Sequence, residues 1–247
     1  MRYFVRLAYK GTSYMGWQKQ PGQMTVQQTI EDHLSKILAQ NIEVVGCGRT
    51  DSGVHALDYV LHFDLDGELP GNFIYRINRL LPDDIAFHHI QQVDRDAHAR
   101  FDATSRSYVY RLGLSKDPFA AALRWEYPYE KATHWDLVQE AADLIAKYDS
   151  FYPFCKSNTD VKTMKCEIKH SSWTFNEKNK EWVYRIEANR FLRGMIRLIV
   201  GMCVNVGRNK LSLADVQKAL ENQTRLSMPL SAPAHGLFLN NIKYSYF

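Results

Sequence analysis

Residues 46–56 read Gly46-Cys47-Gly48-Arg49-Thr50-Asp51-Ser52-Gly53-Val54-His55-Ala56, one carboxylate beside an arginine, a threonine and three glycines. A carboxylate placed this way serves as a nucleophile, a base or a turn cap, and Thr-Asp-Ser-Gly is also ordinary hairpin-loop chemistry. Gly46, Gly48 and Gly53 permit backbone conformations closed to other residues and a close approach to a ligand. A second candidate is His98-Ala99-Arg100-Phe101 followed by Ser105-Arg106-Ser107-Tyr108-Val109-Tyr110-Arg111. On a strand from about 105, Arg106, Tyr108 and Tyr110 share one face. Guanidinium and phenol groups side by side suit an unstacked base and its phosphates, although an exposed Arg/Tyr strand face needs no special function. The third candidate is Asn189 to Gly201, with Arg193 and Arg197 four apart on an otherwise apolar helix. Burying an arginine alone is costly, so Arg197 is expected to meet a carboxylate, and a structural ion pair would serve equally well.

A rival motif lies at Leu61-His62-Phe63-Asp64-Leu65-Asp66-Gly67-Glu68-Leu69, which mimics the signature of haloacid-dehalogenase-type phosphatases. Glu68 stands where that family has Thr or Val, and no Gly-Asp dipeptide follows to supply the usual magnesium site. A strand ending in an Asp-Gly turn accounts for the segment, and the phosphatase reading is rejected. There is no P-loop, no GxGxxG after a strand, no GxSxG and no HExxH.

These residues must be positioned by strands and helices. Ile42 to Val45 and Tyr59 to Phe63 flank the Asp51 loop as strands. Thr25 opens a helix with capping-box spacing to Gln28, and Val26, Ile30, Leu34, Ile37 and Leu38 line one face. A shorter helix runs from Phe73 to Leu81, stopped by Pro82. Thr133 caps a third, Phe191 to Val206 forms a fourth, and Ser212 opens a fifth with Asp215 three residues on. Strands are expected at about 2–9, 42–46, 57–64, 85–90, 105–114, 167–175, 181–188 and 236–245. The order β-α-β-β-α-β over the first hundred residues, with a similar order after it, predicts an α+β protein of two halves. The halves run over residues 1–104 and 105–247, each an antiparallel sheet with helices on one face.

Composition bounds the function. With 247 residues, 45% hydrophobic and 23% charged, the chain has ample length for a core. No apolar run reaches the roughly 18 residues of a membrane span, and Met1 to Leu7 alternates as a strand rather than as a signal peptide. Cys47, Cys155, Cys166 and Cys203 form no CxxC pair, which argues against a metal and fits a reduced, cytoplasmic setting. The net charge is +4, and from Arg185 to Lys210 six basic residues face one acid, Glu187. A concentrated basic face is the footprint expected for a phosphate backbone.

Five segments, in order over nearly the whole chain, resemble the tRNA pseudouridine synthase A family. Tyr9-Lys10-Gly11-Thr12-Ser13-Tyr14-Met15-Gly16-Trp17-Gln18 is similar to its opening signature. Gly48 to Ala56 is similar to its GRTDAGVHA motif, with Ser52 for the more usual Ala, a small change that bears on how the loop is held. His98 to Phe101 with Arg106 to Tyr110, the Asn189–Gly201 segment, and Ala234-His235-Gly236-Leu237-Phe238-Leu239 complete the set. The resemblance implies a pseudouridine synthase fold of two ferredoxin-like halves with the active-site cleft between them. It implies Asp51 as the catalytic aspartate, Arg49 helping to extrude the target nucleotide, and Tyr108 stacking on the uracil. Arg197 would pair with Asp51, Leu237 would line the uracil pocket, and Arg100 and Arg106 would contact the RNA. The implied substrates are uridines 38, 39 and 40 of the tRNA anticodon stem-loop, and the implied assembly is a homodimer.

The chemistry agrees. Turning uridine into pseudouridine breaks a C–N glycosidic bond and makes a C–C bond to the same sugar, with no net redox change and no cofactor. It needs an ionised carboxylate, and a nearby guanidinium keeps one charged. Attack on C6 of uracil, attack on C1′ of ribose and removal of the 2′ proton are all open to that carboxylate. The base must leave the stack, which costs a few kcal/mol, offset by aromatic stacking and phosphate contacts. A proton must then leave C5, to Tyr108 or to water. A catalytically silent RNA-binding protein on the same scaffold is the second reading.

Overall fold

The computed structural model describes residues 1–156 and 163–247. In chain order its elements are β1 (Arg2–Tyr9), α1 (Val26–Leu38), β2 (Val44–Gly46), β3 (His55–Asp64), α2 (Phe73–Asn78) and β4 (Ile85–Val93). There follow β5 (Ser105–Gly113), β6 (Trp125–Glu126), α3 (Trp135–Ile145), β7 (Ile168–Asn176) and β8 (Glu181–Ala188). The last are α4 (Met195–Gly207), α5 (Leu213–Glu221) and β9 (Leu237–Lys243). They divide into two compact units, Met1–Thr104 with Phe238–Phe247, and Ser105–Leu237. The final ten residues, which the sequence reading placed with the second half, therefore group with the first unit.

In the first unit β1 lies between β3 and β4, antiparallel to both, and β2 adds to β3. Flanked on both sides, β1 has neither edge to water, and Phe4, Val5 and Leu7 are completely buried. α1 starts where the Thr25 hydroxyl accepts the Gln28 amide, and it buries Val26, Ile30 and Leu34. Each such side chain contributes roughly 1.5–3 kcal/mol. One carboxylate on that buried face, Glu31, accepts the Val44 amide at 3.1 Å and the Lys19 ammonium at 2.8 Å. It thereby ties α1 to the short strand that leads into the Asp51 loop.

The sheets are mixed, not purely antiparallel as expected. β9 runs parallel to β3, pairing Phe238 with His55 and Leu239 with Ala56, and the Asp58 carboxylate accepts the Ile242 amide at 3.2 Å. β6, too short for its alternation to show in the sequence, is parallel to β5.

In the second unit β8 lies between β5 and β7, antiparallel to both. α3 packs against β7 and α4. The Ser171 hydroxyl donates to the Ala142 carbonyl at 2.7 Å, so the buried Tyr184 hydroxyl must donate to Ser171 at 2.8 Å. Two helix starts differ from expectation. Thr133 does not cap α3; its hydroxyl donates to the Tyr129 carbonyl at 2.8 Å, and His134 is the N-cap, without a side-chain bond. α4 begins at Met195 rather than Phe191, because Gly194 sits at φ +72°, outside the helical region. Arg193 is consequently off the helix and does not share a face with Arg197. α2 likewise ends at Asn78, before Leu81. α5 opens on the expected capping box between Ser212 and Asp215.

α4 is almost wholly buried, and the chain at 228–233 is strapped along it. Ala232 exchanges two bonds with Arg197, its amide to the Arg197 carbonyl at 3.0 Å and its carbonyl receiving Arg197 Nε at 2.6 Å. Asn205 donates to the Met228 carbonyl at 3.0 Å. The approach is so close that a Cβ on Gly201 would lie 1.8 Å from the Leu230 carbonyl oxygen.

A histidine pair closes the first unit. His62 on β3 is buried and accepts the Ala99 amide through Nδ1 at 3.1 Å. His98 accepts the amides of Arg100 and Phe101 at 3.1 and 3.3 Å. Both rings act as acceptors and are neutral there. Burial, then Arg2 and His98, lower His62 to about 4, and burial lowers His98. The unfolded chain takes up these protons near pH 6.5, whereas the folded chain resists until about pH 4 at His62. Stability is therefore full above about pH 6.5 and falls on acidification through that window, by about 2–3 kcal/mol from His62. Urea unfolding between pH 7 and 4 is expected to fall more steeply for wild type than for His62→Gln; parallel curves would contradict this.

Candidate functional site

Asp51 sits half-buried at the first position of a turn closed by the Val54 amide on the Asp51 carbonyl, 3.1 Å. The turn rests on residues 9–17 of the same unit. Trp17 N–H donates to the Thr50 carbonyl at 3.2 Å, Gly53 N–H to the Tyr14 carbonyl at 3.3 Å, and the Tyr9 and Thr50 hydroxyls are 2.9 Å apart. Gly16, at φ +86°, passes so close that a Cβ would lie 2.6 Å from the Thr50 carbonyl oxygen. Ser52 adds a bond that alanine would lack, its hydroxyl donating to the Tyr14 carbonyl at 3.2 Å. Below, Trp17 stacks on Tyr59 at 4.0 Å, and the Tyr59 hydroxyl donates to the Gly48 carbonyl at 2.5 Å. The space beside Gly46 is filled by Trp17 and Tyr59, so that glycine serves the packing of the loop's floor rather than a ligand.

His55 ends the loop. It is buried, accepts the Gly11 amide through Nδ1 at 3.0 Å and stacks on Phe238 at 4.7 Å. The sequence reading named none of Tyr9, Trp17, Tyr59 or His55 for a role. Tyr9 and Trp17 lie in the opening signature, and a Gly/aromatic run of that kind was the available signal. Arg49 is exposed on the same loop as Asp51. Arg100 is exposed on a different turn of this unit, where His98 and Asp102 cap the backbone and the guanidinium lies 5.6 Å from the Phe101 ring.

The second unit carries the other candidates. On β5, Arg106 donates to the Asn189 carbonyl at 3.0 Å, and Tyr108 packs perpendicular to Phe191, ring centroids 5.3 Å apart at 86°. The loop before α4 thus braces both side chains. Tyr110, expected on the same face as a contact for a base, is fully buried and donates its hydroxyl to the Pro233 carbonyl at 2.9 Å. It holds the strap, not a ligand; burial raises its pKa, and the nearby Arg197 acts in the opposite sense. Arg197 stands on the first turn of α4 with one N–H on Ala232. Leu237 is buried where the strap ends.

Asp64, of the rejected phosphatase motif, ends β3 in a two-pronged pair with Arg2 at 2.9 and 2.8 Å, and Arg2 holds its carboxyl below the usual range. All four cysteines are buried, and burial pushes Cys203 up to about 12 and Cys166 to about 11. Among the described residues, no three His, Cys, Asp or Glu side chains are grouped to hold a metal, and no helix is long and apolar enough to cross a membrane.

With its mixed α/β units and an aspartate on a braced glycine loop, the chain belongs to the tRNA pseudouridine synthase family, whose model matches residues 7–102 and 148–245. The tRNA pseudouridine synthase A of Porphyromonas gingivalis is 45% identical over 246 residues, spanning 98% of this chain and 97% of that one. Its counterpart in Bacteroides fragilis is 44% identical over 245 residues, with 98% and 96% coverage. That of Acetivibrio thermocellus is 34% identical over 239 residues, with 96% and 97% coverage. The protein is an isomerase of this class.

The geometry under Asp51 sets one expectation. Gly16→Ala meets both a left-handed backbone and the Thr50 carbonyl, and is expected to cost about 1–3 kcal/mol in chemical unfolding. It should also lower turnover on tRNA, because it moves the loop that carries Arg49 and Asp51. Unchanged stability and turnover would remove Gly16 from the support of the loop.

Proposed function

We propose that this enzyme isomerises uridine in the anticodon stem-loop of tRNA, at positions 38, 39 and 40, with Asp51 as the catalytic aspartate on a flipped-out nucleotide. The observation that carries the reading is the bracing of the Asp51 turn. Thr50 and Gly53 are hydrogen-bonded to the 14–17 segment, so the backbone that carries the half-buried Asp51 is held in one place on an otherwise polar loop. Preorganised groups of this kind cost little reorganisation during reaction.

The isomerisation conserves atoms. The C1′–N1 bond breaks, C1′ bonds to C5, C5 gives up its proton and N1 gains one. Asp51 supplies the carboxylate. Arg49, exposed beside it, helps to extrude the nucleotide. Tyr108, packed against Phe191, stacks on the uracil, and Arg197 is the ionic partner of Asp51. Leu237 packs on the base, while Arg100 and Arg106 bind phosphates. We further propose that the two halves follow one ferredoxin-like plan. In support, β1-β3-β2 of the first unit and β5-β8-β7 of the second share strand order and connection. The assembly is proposed to be a homodimer, working in the cytoplasm.

Tritium released from C5-labelled tRNA measures the reaction. Wild type is expected to release it, and Asp51→Asn to fall to background while binding tRNA within a few-fold of wild type. Near-normal release by the variant would sink Asp51 as catalyst. Wild-type binding with steep salt dependence but no release would favour the silent RNA-binding reading. Pseudouridine mapping in the product tRNA checks the positions, and a monomer mass in sedimentation equilibrium would refute the dimer.

A further inference from the structure

The second unit contains a cavity of about 400 Å³ at the far end of β5 from Arg106. Arg111, Arg124, Lys178 and Lys180 line it, with Asp117 the acid among the lining residues. Five residues of strand, about 17 Å, separate Arg106 from Arg111. Arg124 is the decisive group. It is only 2% exposed, yet its N–H groups go to neutral carbonyls, Nη2 to Ser115 at 2.6 Å and Nη1 to Asn179 at 3.2 Å. Nε has no partner among the described residues, and the one carboxylate in range, Asp117, stands 4.0 Å away. Asp117 is already engaged by the Phe119 amide at 3.0 Å. A buried guanidinium compensated this poorly is costly unless an anion comes to it.

The place is built for that group. A Cβ on Gly113 would lie 2.4 Å from Arg124 Nε, so the guanidinium requires glycine there. Of the other cations, Arg111 is satisfied by Glu181 through two bonds at 3.1 and 3.0 Å. Lys180 meets Glu177 at 2.8 Å, but both are exposed, and such a pair is worth little and rearranges easily. Lys178 and Lys180 are therefore available at the mouth. The 115–124 loop, which supplies Ser115, Asp117, Ala120 and Arg124 to the lining, also presents Phe119, 95% exposed. A single exposed phenylalanine close in sequence to Lys116 and Asp117 does not make an apolar protein interface. An aromatic beside a basic pocket is how proteins hold unpaired nucleotides, base on the ring and phosphate in the pocket.

We propose that this cavity anchors a backbone phosphate of the bound tRNA, with Phe119 stacking on an unpaired base next to it. This rests on the tRNA reading above. The site sets affinity and placement of the RNA, and takes no part in bond making.

The test uses full-length wild type, Phe119→Ala and Lys178→Ala, both surface positions. Steady-state kinetics on a tRNA transcript are combined with binding across a KCl series. Phe119→Ala should raise KM and Kd about tenfold, and Lys178→Ala about threefold with a salt slope reduced by about one. In both, kcat should stay within twofold of wild type. Unchanged tRNA affinity in both variants, with wild type active, overturns the site alone. Tight binding of inorganic phosphate that Lys178→Ala weakens, with tRNA affinity unaltered, would mark a free-anion site and also overturn it. So would a changed sedimentation mass without a change in tRNA affinity. A wild type that neither binds tRNA nor forms pseudouridine would defeat the functional reading itself.

Discussion

The Asp51 turn does not fold by itself. Its carbonyl at Thr50 and its amide at Gly53 are both spent on residues 14–17, and the fit is close enough that Gly16 has no room for a side chain. Several other contacts of the first unit serve it. Glu31 fixes the strand entering the loop, Trp17 and Tyr59 form its floor, and His55 anchors its exit against Phe238. A short polar loop would otherwise sample many conformations, at an entropic cost of order 1–2 kcal/mol per residue to order it. Here that cost is met once, on folding, by a sheet and a helix that exist for other reasons.

The second unit solves a similar problem with an extended segment. Residues 228–233 carry little regular structure, yet their carbonyls and amides are bonded to α4 through Arg197 and Asn205, and Tyr110 takes the Pro233 carbonyl. An apolar helix alone offers such a strap no polar partners. Arg197 therefore belongs to the fold as well as to the proposed chemistry, and a substitution there disturbs both.

Where the determinants were local, the sequence was legible. The Thr25 and Ser212 caps, the stripe of α1 and most strands follow from spacing alone, and the ordered motifs led to the family. The failures have distinct causes. Thr133 carries the right cap chemistry, but Tyr127 and Tyr129 compete for its hydroxyl. α4 starts late because one glycine interrupts an apolar run that gives no other sign of a break. Tyr110 shares a face with Tyr108 by period, and only the distant strap determines that it is buried. The Gly/aromatic run at residues 9–17 is visible as a signature, but tyrosine, tryptophan and glycine do not announce which loop they will support. The buried Arg124 was equally silent, its burial set by Ser115 and Asn179 from two separate turns.

β9 has a consequence for the order of events during synthesis. The first unit is complete only when Phe238 and Leu239 pair with β3 and Tyr244 and Phe247 pack against Phe4. Those residues leave the ribosome after all of the second unit. The second unit is contiguous in the chain, whereas the first must join segments almost the full chain length apart, which is slow. The part of the molecule that is translated first is thus finished after the second unit has emerged, and the Asp51 loop waits on Phe238, the ring that stacks on His55.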